Sequence, residues 1–348
     1  MTFVILLAGG WGERFWPKSR ISYPKQFIAM DGKASLIEKS LRRFSRSVSP
    51  KNIRIVALKE QKRIFKKEYP SLVSRVLWEP FGRNTAAAIA LAAFHIRKKY
   101  PGATLIALPC DAWIQDERSF LLTIRKAVSV AKSFDGIVTV GIRPTYPATG
   151  YGYIRYGKKE GHAYSVKEFI EKPPLQRAKR LLGGGSVLWN SGIFVFRIPV
   201  LMDLLKTHLP VLYRGFQNEK SLSRFYRKLR SGGFDRSFDH AILEKTKRVK
   251  VIPGRFGWRD LGSWRSLEAA FPSSRDGNIL VGEAFVEKGR ENIFISEKGH
   301  LLAGFGVSGL VAVHTEDATL ICPKERTEEV KGLVNALRRQ KKFSRYCR

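Results

Sequence analysis

The feature that most constrains the fold of this chain is an alternation of short β-rich runs with helical runs across its first two-thirds. Buried strands are predicted for IRIVAL (Ile53 to Leu58), TLIAL (Thr104 to Leu108), GIVTVGI (Gly136 to Ile142) and GIFVF (Gly192 to Phe196). SLIEKSLRRF and TAAAIALAAFHIRKKY have helical character, and the second is rich enough in alanine to pack closely on a sheet. This alternation predicts an α/β fold with a largely parallel sheet.

The sequence pattern changes after Phe271, where the alternation of strand-like and helical runs ends. The turn-rich segment PSSRDGN is followed by short strand-like pieces, among them NIFIS, LVAVHT and TLICP, and then by a predicted helix with Thr327 as its N-cap. A length of 348 residues suits one large α/β unit with a smaller appendage. We therefore predict one domain at 1–271 and a small all-β domain with a terminal helix at 278–348.

The sequence is strongly basic, with 63 Lys and Arg residues against 30 Asp and Glu residues and a net charge of +33. Such an excess attracts polyanions, and by itself it suggests nucleic acid. The alternative is that the charge is spread over solvated helix faces. We favour this alternative because the basic residues are scattered and no segment matches a nucleic-acid-binding module, so no specific nucleic-acid partner is expected.

The hydrophobic runs and the cysteines limit the cellular compartments in which we expect the protein. No apolar run approaches the roughly 20 residues of a membrane span, and the apolar start of the chain is too short for a signal-peptide core. Cys110, Cys322 and Cys347 are too few and too far apart for a disulfide framework or a tetrahedral zinc site. We expect a cytoplasmic protein with reduced thiols and no membrane partner.

A glycine loop follows the first predicted strand, FVILL. It contains Gly9, Gly10 and Gly12, and Arg14 and Lys25 come soon after it. The loop is neither a P-loop nor a clean G-x-G-x-x-G fingerprint, and glycines often make only a turn. A triphosphate, however, requires both backbone amides and fixed positive charges, and this stretch supplies both.

Eight motifs in order carry a family resemblance, from GGWGERFWPKSR…PKQF through EPFGRNTAAAIALAA, LPCDAWI, GYGYI, FIEKP, WNSGIFVF and FDHAILEK to GWRDLGSW. Together they resemble the sugar-1-phosphate nucleotidylyltransferase family. The resemblance implies a Rossmann-like nucleotidyltransferase domain with a mixed, mostly parallel sheet, followed by a small left-handed β-helix domain. Within the first motif, the residues W-P and P-K-Q-F are similar to those of family members that use GTP and mannose 1-phosphate.

The implied reaction is transfer of GMP from GTP to mannose 1-phosphate by direct in-line attack assisted by a divalent metal. Two alternatives stay open, namely a nucleotidylyltransferase for another hexose or heptose 1-phosphate or another nucleotide, and a basic nucleic-acid-binding protein on an inactive enzyme fold. The chain ends before a cupin-type isomerase domain would fit, so mannose-6-phosphate isomerase activity is not expected. The oligomeric state is open, with a homodimer as one option.

The resemblance assigns the nucleotide site. Gly9, Gly10, Gly12, Arg14 and Lys25 are implied to bind the GTP phosphates, with Arg14 and Lys25 as catalytic charges. The role of Trp11, which lies within the loop, is not assigned.

The base and the ribose are expected to contact EPFGRNT. A carboxylate accepts from the N1–H and 2-amino donors of guanine, so we expect Glu79 near the base, with Asn84 and Thr85 near the base and ribose. Alternatively, Asn84 or Thr85 is only a helix N-cap.

Two aspartates are candidates for the metal site. Asp111 follows the predicted strand TLIALP, at the edge where α/β sheets bind ligands, and Asp260 lies in GWRDLGSW. Both match the metal aspartates of the family, which implies Mg²⁺, with Mn²⁺ as an option. Cys110 and Ala112 replace the family's alanine and histidine beside the first aspartate, which puts one supporting contact in doubt.

The sugar phosphate is expected to bind at a second set of motifs. In FIEKP, Lys172 suits the phosphate, where it would act catalytically, and Glu171 suits two neighbouring hydroxyls. Asn190 in WNSGIF and the backbone amide of Gly150 in TGYGYI are further expected contacts. Alternatively, Glu171 and Lys172 are an ordinary surface ion pair.

Overall fold

The computed structural model describes residues 1–347, and the chain divides into two compact units. The first unit contains Met1–Gly9, Arg43–Pro109 and Asp116–Trp258. The second contains Gly10–Arg42, Cys110–Gln115 and the chain from Arg259 on. The second unit thus combines the glycine-loop segment with the C-terminal region, and the boundaries of the two domains predicted above stay predictions.

The structure contains strands in both units. In chain order they are β1 (Thr2–Leu7), β2 (Ile53–Leu58), β3 (Val76–Glu79), β4 (Thr104–Pro109), β5 (Ala112–Ile114), β6 (Ile137–Ile142), β7 (Tyr153–Glu160), β8 (Ala163–Ile170), β9 (Val187–Arg197), β10 (Val249–Gly254), β11 (Trp258–Asp260), β12 (Ile279–Val281), β13 (Ala284–Glu287), β14 (Ile293–Ile295), β15 (Leu302–Phe305), β16 (Leu310–His314) and β17 (Thr319–Pro323).

Helices lie between these strands and close the described chain. They are α1 (Leu36–Ser45), α2 (Lys62–Glu68), α3 (Asn84–Arg97), α4 (Glu117–Ser133), α5 (Leu175–Gly183), α6 (Ile198–His208), α7 (Pro210–Asn218), α8 (Leu222–Ser231) and α9 (Val330–Arg339). Within residues 1–347, no helix has both the length and the apolar character that crossing a membrane requires.

The first unit is built on a nine-stranded mixed sheet with the order β3-β2-β1-β4-β9-β6-β10-β8-β7. The strands from β3 to β4 are parallel to one another, whereas β9 is antiparallel to both β4 and β6. The predicted mixed sheet is confirmed, but among the described residues it is not largely parallel, because four of its strand pairings are parallel and five are antiparallel. Strands β4 and β6 are buried along almost their whole length. Their sequences are therefore continuous apolar runs and do not alternate between apolar and polar residues.

The structure follows three of the sequence predictions to different degrees. Strand β2 has the predicted bounds, because four of its last five side chains are buried and no turn residue interrupts them. The predicted strand at Gly192 to Phe196 is only the second half of β9, which begins at Val187 because Val187 to Trp189 are also buried and pair with β7. Helix α3 packs as predicted, with a continuous buried run of alanines against the core.

The C-terminal part of the second unit is a stack of short parallel strands, closed by β17, which is antiparallel to β16. Strand β14 lies between β12 and β16, and β13 pairs with β15, all in parallel register. Ile293 lies opposite Ile279 on one side and Val311 on the other, and all three are buried. This repetition of one inward apolar position per turn is the packing of a β-helix.

The start of the terminal helix differs from the prediction. Thr327 lies inside a 3₁₀ helix, Lys324–Glu329, and α9 begins at Val330. The Thr327 hydroxyl donates to the backbone oxygen of Lys324 at 3.2 Å instead of accepting from the first turn of α9. The N-cap prediction is therefore wrong, because the chain enters the helix through a tighter turn.

Candidate active site

The glycine loop of the second unit is held in one conformation by its neighbours. Gly12 has φ 65°, in the left-handed region, and it precedes a short 3₁₀ helix, Glu13–Phe15. The Ser19 hydroxyl donates to the Gly12 carbonyl at 2.6 Å. Phe15 is fully buried, with its ring 5.0 Å from that of Trp264. The loop is therefore anchored by an aromatic contact on one side and a hydrogen bond on the other.

Lys25 joins this loop to both candidate metal aspartates. Its Nζ lies 2.9 Å from Asp111 Oδ2 and 4.0 Å from Asp260 Oδ1, and the residue is only 5% exposed. Burial lowers the pKa of Lys25, but the two carboxylates outweigh it and the pKa is raised. A Cβ added to Gly12 would lie 2.2 Å from the Lys25 Cβ, so glycine is required for this close approach. The lysine is thus held as a fixed positive charge.

The two aspartates form a donor set that fits a divalent cation. Carboxylate oxygens are the hard ligands that Mg²⁺ and Mn²⁺ prefer, and both carboxylates point at the same Lys25 ammonium, so they converge. Burial and the neighbouring Asp111 raise the pKa of Asp260, while Lys25 lowers it. No group of three or more His, Cys, Asp or Glu side chains that would hold a metal occurs among residues 1–347. Phosphate oxygens and water would therefore have to complete a coordination shell here.

Arg14, expected on the GTP phosphates, is ion-paired in this structure. Its Nε lies 3.0 Å from Glu328 Oε2, and both side chains are about half exposed, at 45% and 60%. A pair this exposed contributes at most about 1 kcal/mol. An incoming phosphate can therefore displace Glu328 at little cost, and the role of Arg14 stays a prediction.

Glu79, in the first unit, is a buried carboxyl at the end of β3. It is 3% exposed, and Tyr226 donates a hydrogen bond to its Oε1 at 2.9 Å. Its Oε2 lies 3.8 Å from where a Gly9 Cβ would be, so that oxygen faces the glycine. Burial raises the pKa of Glu79 to about 7, against the opposing effects of Tyr226 and Arg83.

We expect the buried Glu79 to make stability depend on pH. Its folded pKa of about 7 lies above the ordinary 4.5, so between these values the native state holds a proton that the unfolded state has lost. Stability should therefore fall as pH rises from about 4.5 to about 7, by about 3 kcal/mol in total. Urea unfolding from pH 4 to pH 8 measures this, with a smaller decline expected in Glu79→Gln, where the raised pKa of Asp239 still contributes, and the full decline in exposed Glu60→Gln. An equal pH dependence in Glu79→Gln and wild type would contradict the assignment.

Asn84 and Thr85 have local structural roles in addition to any ligand contact. Asn84 has φ 62°, and its Oδ1 accepts from the backbone N–H of Thr85 at 2.9 Å. The Thr85 hydroxyl accepts from the backbone N–H of Phe238 at 2.8 Å. The residue before α3 is Arg83, which makes no side-chain capping bond within the described chain. Neither residue is thus a simple N-cap, and their ligand roles stay predictions.

The predicted sugar residues of the first unit lie in a network of carboxylates. Glu171 is 9% exposed, and the exposed Lys172 Nζ lies 3.0 Å from its Oε1. Asn190 donates from Nδ2 to Asp239 Oδ1 at 2.7 Å, and Glu244 Oε1 accepts from the Glu171 backbone N–H at 3.1 Å. The Glu171 side chain is nearly buried whereas Lys172 is exposed, so the pair lies at the edge of this network, and the sugar-binding roles of both residues stay predictions.

Sequence reasoning missed two residues of this network. Burial and the nearby Glu171 raise the pKa of Asp239 to about 6, against the effect of Asn190. The motif FDHAILEK was recognised, but its carboxylates Asp239 and Glu244 were not assigned. The available signal is that the two acidic residues of the motif enclose the apolar stretch Ala241 to Leu243.

A second glycine also lies closer to the network than the one predicted. A Cβ on Gly152 would come within 2.6 Å of Glu171 Oε2, whereas among the described residues other than its chain neighbours no heavy atom lies within 4 Å of the Cβ position of Gly150. Gly152 therefore makes room for the Glu171 carboxylate, and contact of Gly150 with a ligand stays a prediction.

The structure places the predicted site residues in both units. The first unit holds Gly9, Glu79, Asn84, Thr85, Gly150, Glu171, Lys172 and Asn190, and the second holds Gly10, Gly12, Arg14, Lys25, Asp111 and Asp260. Direct contacts within the second unit join Lys25 to the two aspartates. In the first unit, Glu171 contacts Lys172, while Asn190 contacts Asp239.

The fold and the glycine loop with its lysine and aspartates are those of a nucleotidyl transferase. The sequence profile of the nucleotidyl transferase family matches residues 3–277. A second profile, described as a MannoseP isomerase/GMP-like beta-helix domain, matches residues 288–337. The predicted C-terminal β-helix is thereby confirmed.

Proteins of similar sequence and structure indicate which kind of nucleotidyl transferase this chain resembles. A mannose-1-phosphate guanylyltransferase RfbM from Salmonella typhimurium is 36% identical over 97% of this chain and 73% of its own length. Mannose-1-phosphate guanylyltransferase 2 from Escherichia coli O157:H7 is 35% identical over 97% and 74%. A crystal structure described as a mannose-1-phosphate geranyltransferase from Thermus thermophilus has a TM-score of 0.89, with 32% identity over 97% of this chain and 99% of that one.

The chain belongs to the nucleotidyl transferase family and, within it, to the mannose-1-phosphate guanylyltransferases. The resemblance noted from the motifs is confirmed, and the chain spans about three-quarters of the length of these two curated relatives. The family acts on a nucleoside triphosphate and a sugar 1-phosphate and generally uses a divalent metal. Membership favours the enzyme interpretation over the nucleic-acid-binding one.

Proposed function

We propose that this protein transfers GMP from GTP to mannose 1-phosphate, forming GDP-mannose and pyrophosphate. The observation that carries the proposal is the buried Lys25, held 2.9 Å from Asp111 and 4.0 Å from Asp260 beside a left-handed glycine turn. Positive charge, glycine amides and convergent carboxylates together suit a triphosphate with its cation. The relatives named mannose-1-phosphate guanylyltransferase supply the identity of the two substrates.

The reaction needs no nucleophilic side chain. A phosphate oxygen of mannose 1-phosphate attacks the α-phosphorus of GTP, and the bond from that phosphorus to the bridging oxygen breaks. Pyrophosphate leaves with the bonding electrons, so atoms and charge balance without a covalent enzyme intermediate. Catalysis then consists mostly of positioning and of stabilising negative charge.

The second unit supplies the charges for the triphosphate. The backbone amides of Gly10 and Gly12 and the side chains of Arg14 and Lys25 would bind its oxygens, and Lys25 would stabilise the charge that grows on the departing group. Asp111 and Asp260 would hold Mg²⁺, or Mn²⁺ in its place, which supplies Lewis-acid stabilisation to the phosphate oxygens when bound.

The first unit supplies the residues for guanine and mannose. Glu79 would accept from the N1–H and 2-amino group of guanine, with Asn84 and Thr85 as neighbours, while the backbone amide of Gly9 would bind a phosphate of GTP. Lys172 would hold the attacking phosphate. Sugar hydroxyls would be held by Glu171 and Asn190, with Gly150 as a backbone donor. These substrates are metabolites of the cytoplasm, where we place the reaction.

A substrate panel tests the proposal. Pyrophosphate release should be fastest by far with GTP and mannose 1-phosphate when GTP, ATP, UTP and dTTP are each combined with mannose, glucose and galactose 1-phosphates. A site that hydrogen-bonds a particular base edge rejects analogues that leave its polar groups unpaired, so at least a roughly hundredfold preference for GTP is expected. Faster turnover with another nucleotide or sugar would replace the substrate assignment and leave the reaction class standing. Absence of turnover with every pair would reject the class.

A further inference from the structure

A cavity rich in arginine lies on the first unit, apart from the residues assigned to nucleotide, metal and sugar. Its volume is about 330 Å³. Arg155 on β7 and Arg177 and Arg180 on α5 line it, together with Leu181 and Val187. None of the residues given a role in the proposed reaction lines this cavity.

The charges of this arginine cavity are only partly neutralised. Glu168 on β8 accepts from two of the arginines, from Arg155 and, at 3.0 Å, from Arg177. Within residues 1–347, Arg180 has no carboxylate within salt-bridge distance. Three guanidinium groups against one carboxylate leave a net charge of +2 around one concave space.

This arrangement differs from the scattered basic residues elsewhere on the chain. Arg177 and Arg180 are three positions apart on α5 and therefore lie on the same side of the helix. Glu168 pairs with both Arg155 and Arg177, and because these side chains are about half exposed the pairs are weak enough for a phosphate to compete with them. Planar guanidinium groups bind phosphate oxygens in pairs, which a lysine ammonium does not.

The size and remaining lining of the cavity indicate what else the ligand carries. A volume of about 330 Å³ exceeds what a bare phosphate needs. Leu181 and Val187 supply an apolar wall, and Gly184 and Gly185 leave its rim without side chains. A small organic group attached to a phosphate therefore fits better than an extended polyanion.

We propose that the arginine cavity formed by Arg155, Arg177 and Arg180 binds the phosphate group of a small phosphorylated metabolite, at a site separate from both substrates. Arg180 makes the main contact, and Arg155 and Arg177 shift part of their hydrogen bonding from Glu168 to the phosphate. Helix α5 begins three residues after Lys172, so ligand bound here also restrains the segment that leads into the sugar residues.

Calorimetric titration at fixed ionic strength tests this site, with inorganic phosphate and mannose 6-phosphate as the two probes. Wild type should show a binding component that Arg180→Gln weakens about tenfold or more, as expected for loss of a charged hydrogen bond. Lys179→Gln is the matched control, because Lys179 is exposed on the same helix and does not line the cavity. Arg155→Gln should also weaken binding, and it probes the β7 side independently.

The outcomes separate a built site from general attraction to a basic protein. Loss in Arg180→Gln with binding retained in Lys179→Gln supports the proposal, and tighter binding of mannose 6-phosphate than of inorganic phosphate identifies an organic phosphate as the ligand class. Equal weakening in both variants, or wild-type binding in Arg180→Gln, overturns it. Thermal unfolding of each variant without ligand checks that the fold is intact. Binding of phosphate at the substrate residues is expected to be the same in wild type and in every variant. It therefore does not affect the comparison of Arg180→Gln with Lys179→Gln.

Discussion

Replacing Lys25 with glutamine is expected to lower kcat for GDP-mannose formation about a thousandfold. The ammonium is buried and held by two carboxylates, so it does not have to be ordered when charge develops on the phosphates. Fixed charges of this kind contribute factors of about 10²–10³ or more to phosphoryl and acyl transfer. Because the charge on the leaving group grows only in the transition state, KM for GTP should change far less than kcat.

Steady-state kinetics of pyrophosphate release measures this effect. Lys33→Gln is the matched control, since Lys33 is an exposed lysine of the same unit. The substitution also leaves Asp111 and Asp260 without their shared partner, so thermal unfolding must show that the Lys25→Gln variant is folded at the assay temperature. A folded variant with more than a tenth of wild-type kcat would remove Lys25 from the catalytic role.

Replacing Asp260 with asparagine is expected to lower activity by about 10²–10³-fold and to raise the concentration of Mg²⁺ needed for half-maximal rate. An amide is a neutral and weaker ligand than a carboxylate, and Asp111 alone would then hold the cation. The salt bridge between Lys25 and Asp111 does not depend on Asp260, so the fold should be little affected. Asp276→Asn, at an exposed aspartate of the same unit, is the control.

Binding of Mn²⁺ in the presence of GTP, followed by electron paramagnetic resonance, separates a metal role from a purely electrostatic one. Wild type and Asp276→Asn should bind Mn²⁺ with the same affinity, and Asp260→Asn should bind it at least tenfold more weakly. Full activity together with unchanged Mn²⁺ affinity in Asp260→Asn would contradict the assignment of Asp260 as a metal ligand.

Several elements of the fold were predictable because local chemistry determines them. Strand β2 has the bounds that its apolar run, interrupted only by Arg54, predicts. The left-handed turn at Gly12 occurs where only glycine is free of strain, and α3 follows its alanine run. The start of β9 was not predictable, since Val187 to Trp189 become a strand only through pairing with β7.

The candidate site was predictable as a set of residues and much less as a set of interactions. The motifs predicted Lys25, Asp111 and Asp260 as participants, but their salt bridges join positions far apart in the chain. Asp239 was missed because its importance comes from burial and from its bond with Asn190, and neither is visible in FDHAILEK.

The sequence by itself determined the family, the α/β and β-helix classes and the residue types expected to face the two substrates, because motif spelling and apolar periodicity are properties of neighbouring residues. The tertiary structure alone decided which charges are paired and how strongly groups titrate: Lys25 against two aspartates, Glu79 with a pKa of about 7, and Arg180 without a carboxylate partner among residues 1–347. The physical reason is that electrostatic energy depends on distance and on exclusion of water, and folding sets both between residues that are remote in the chain.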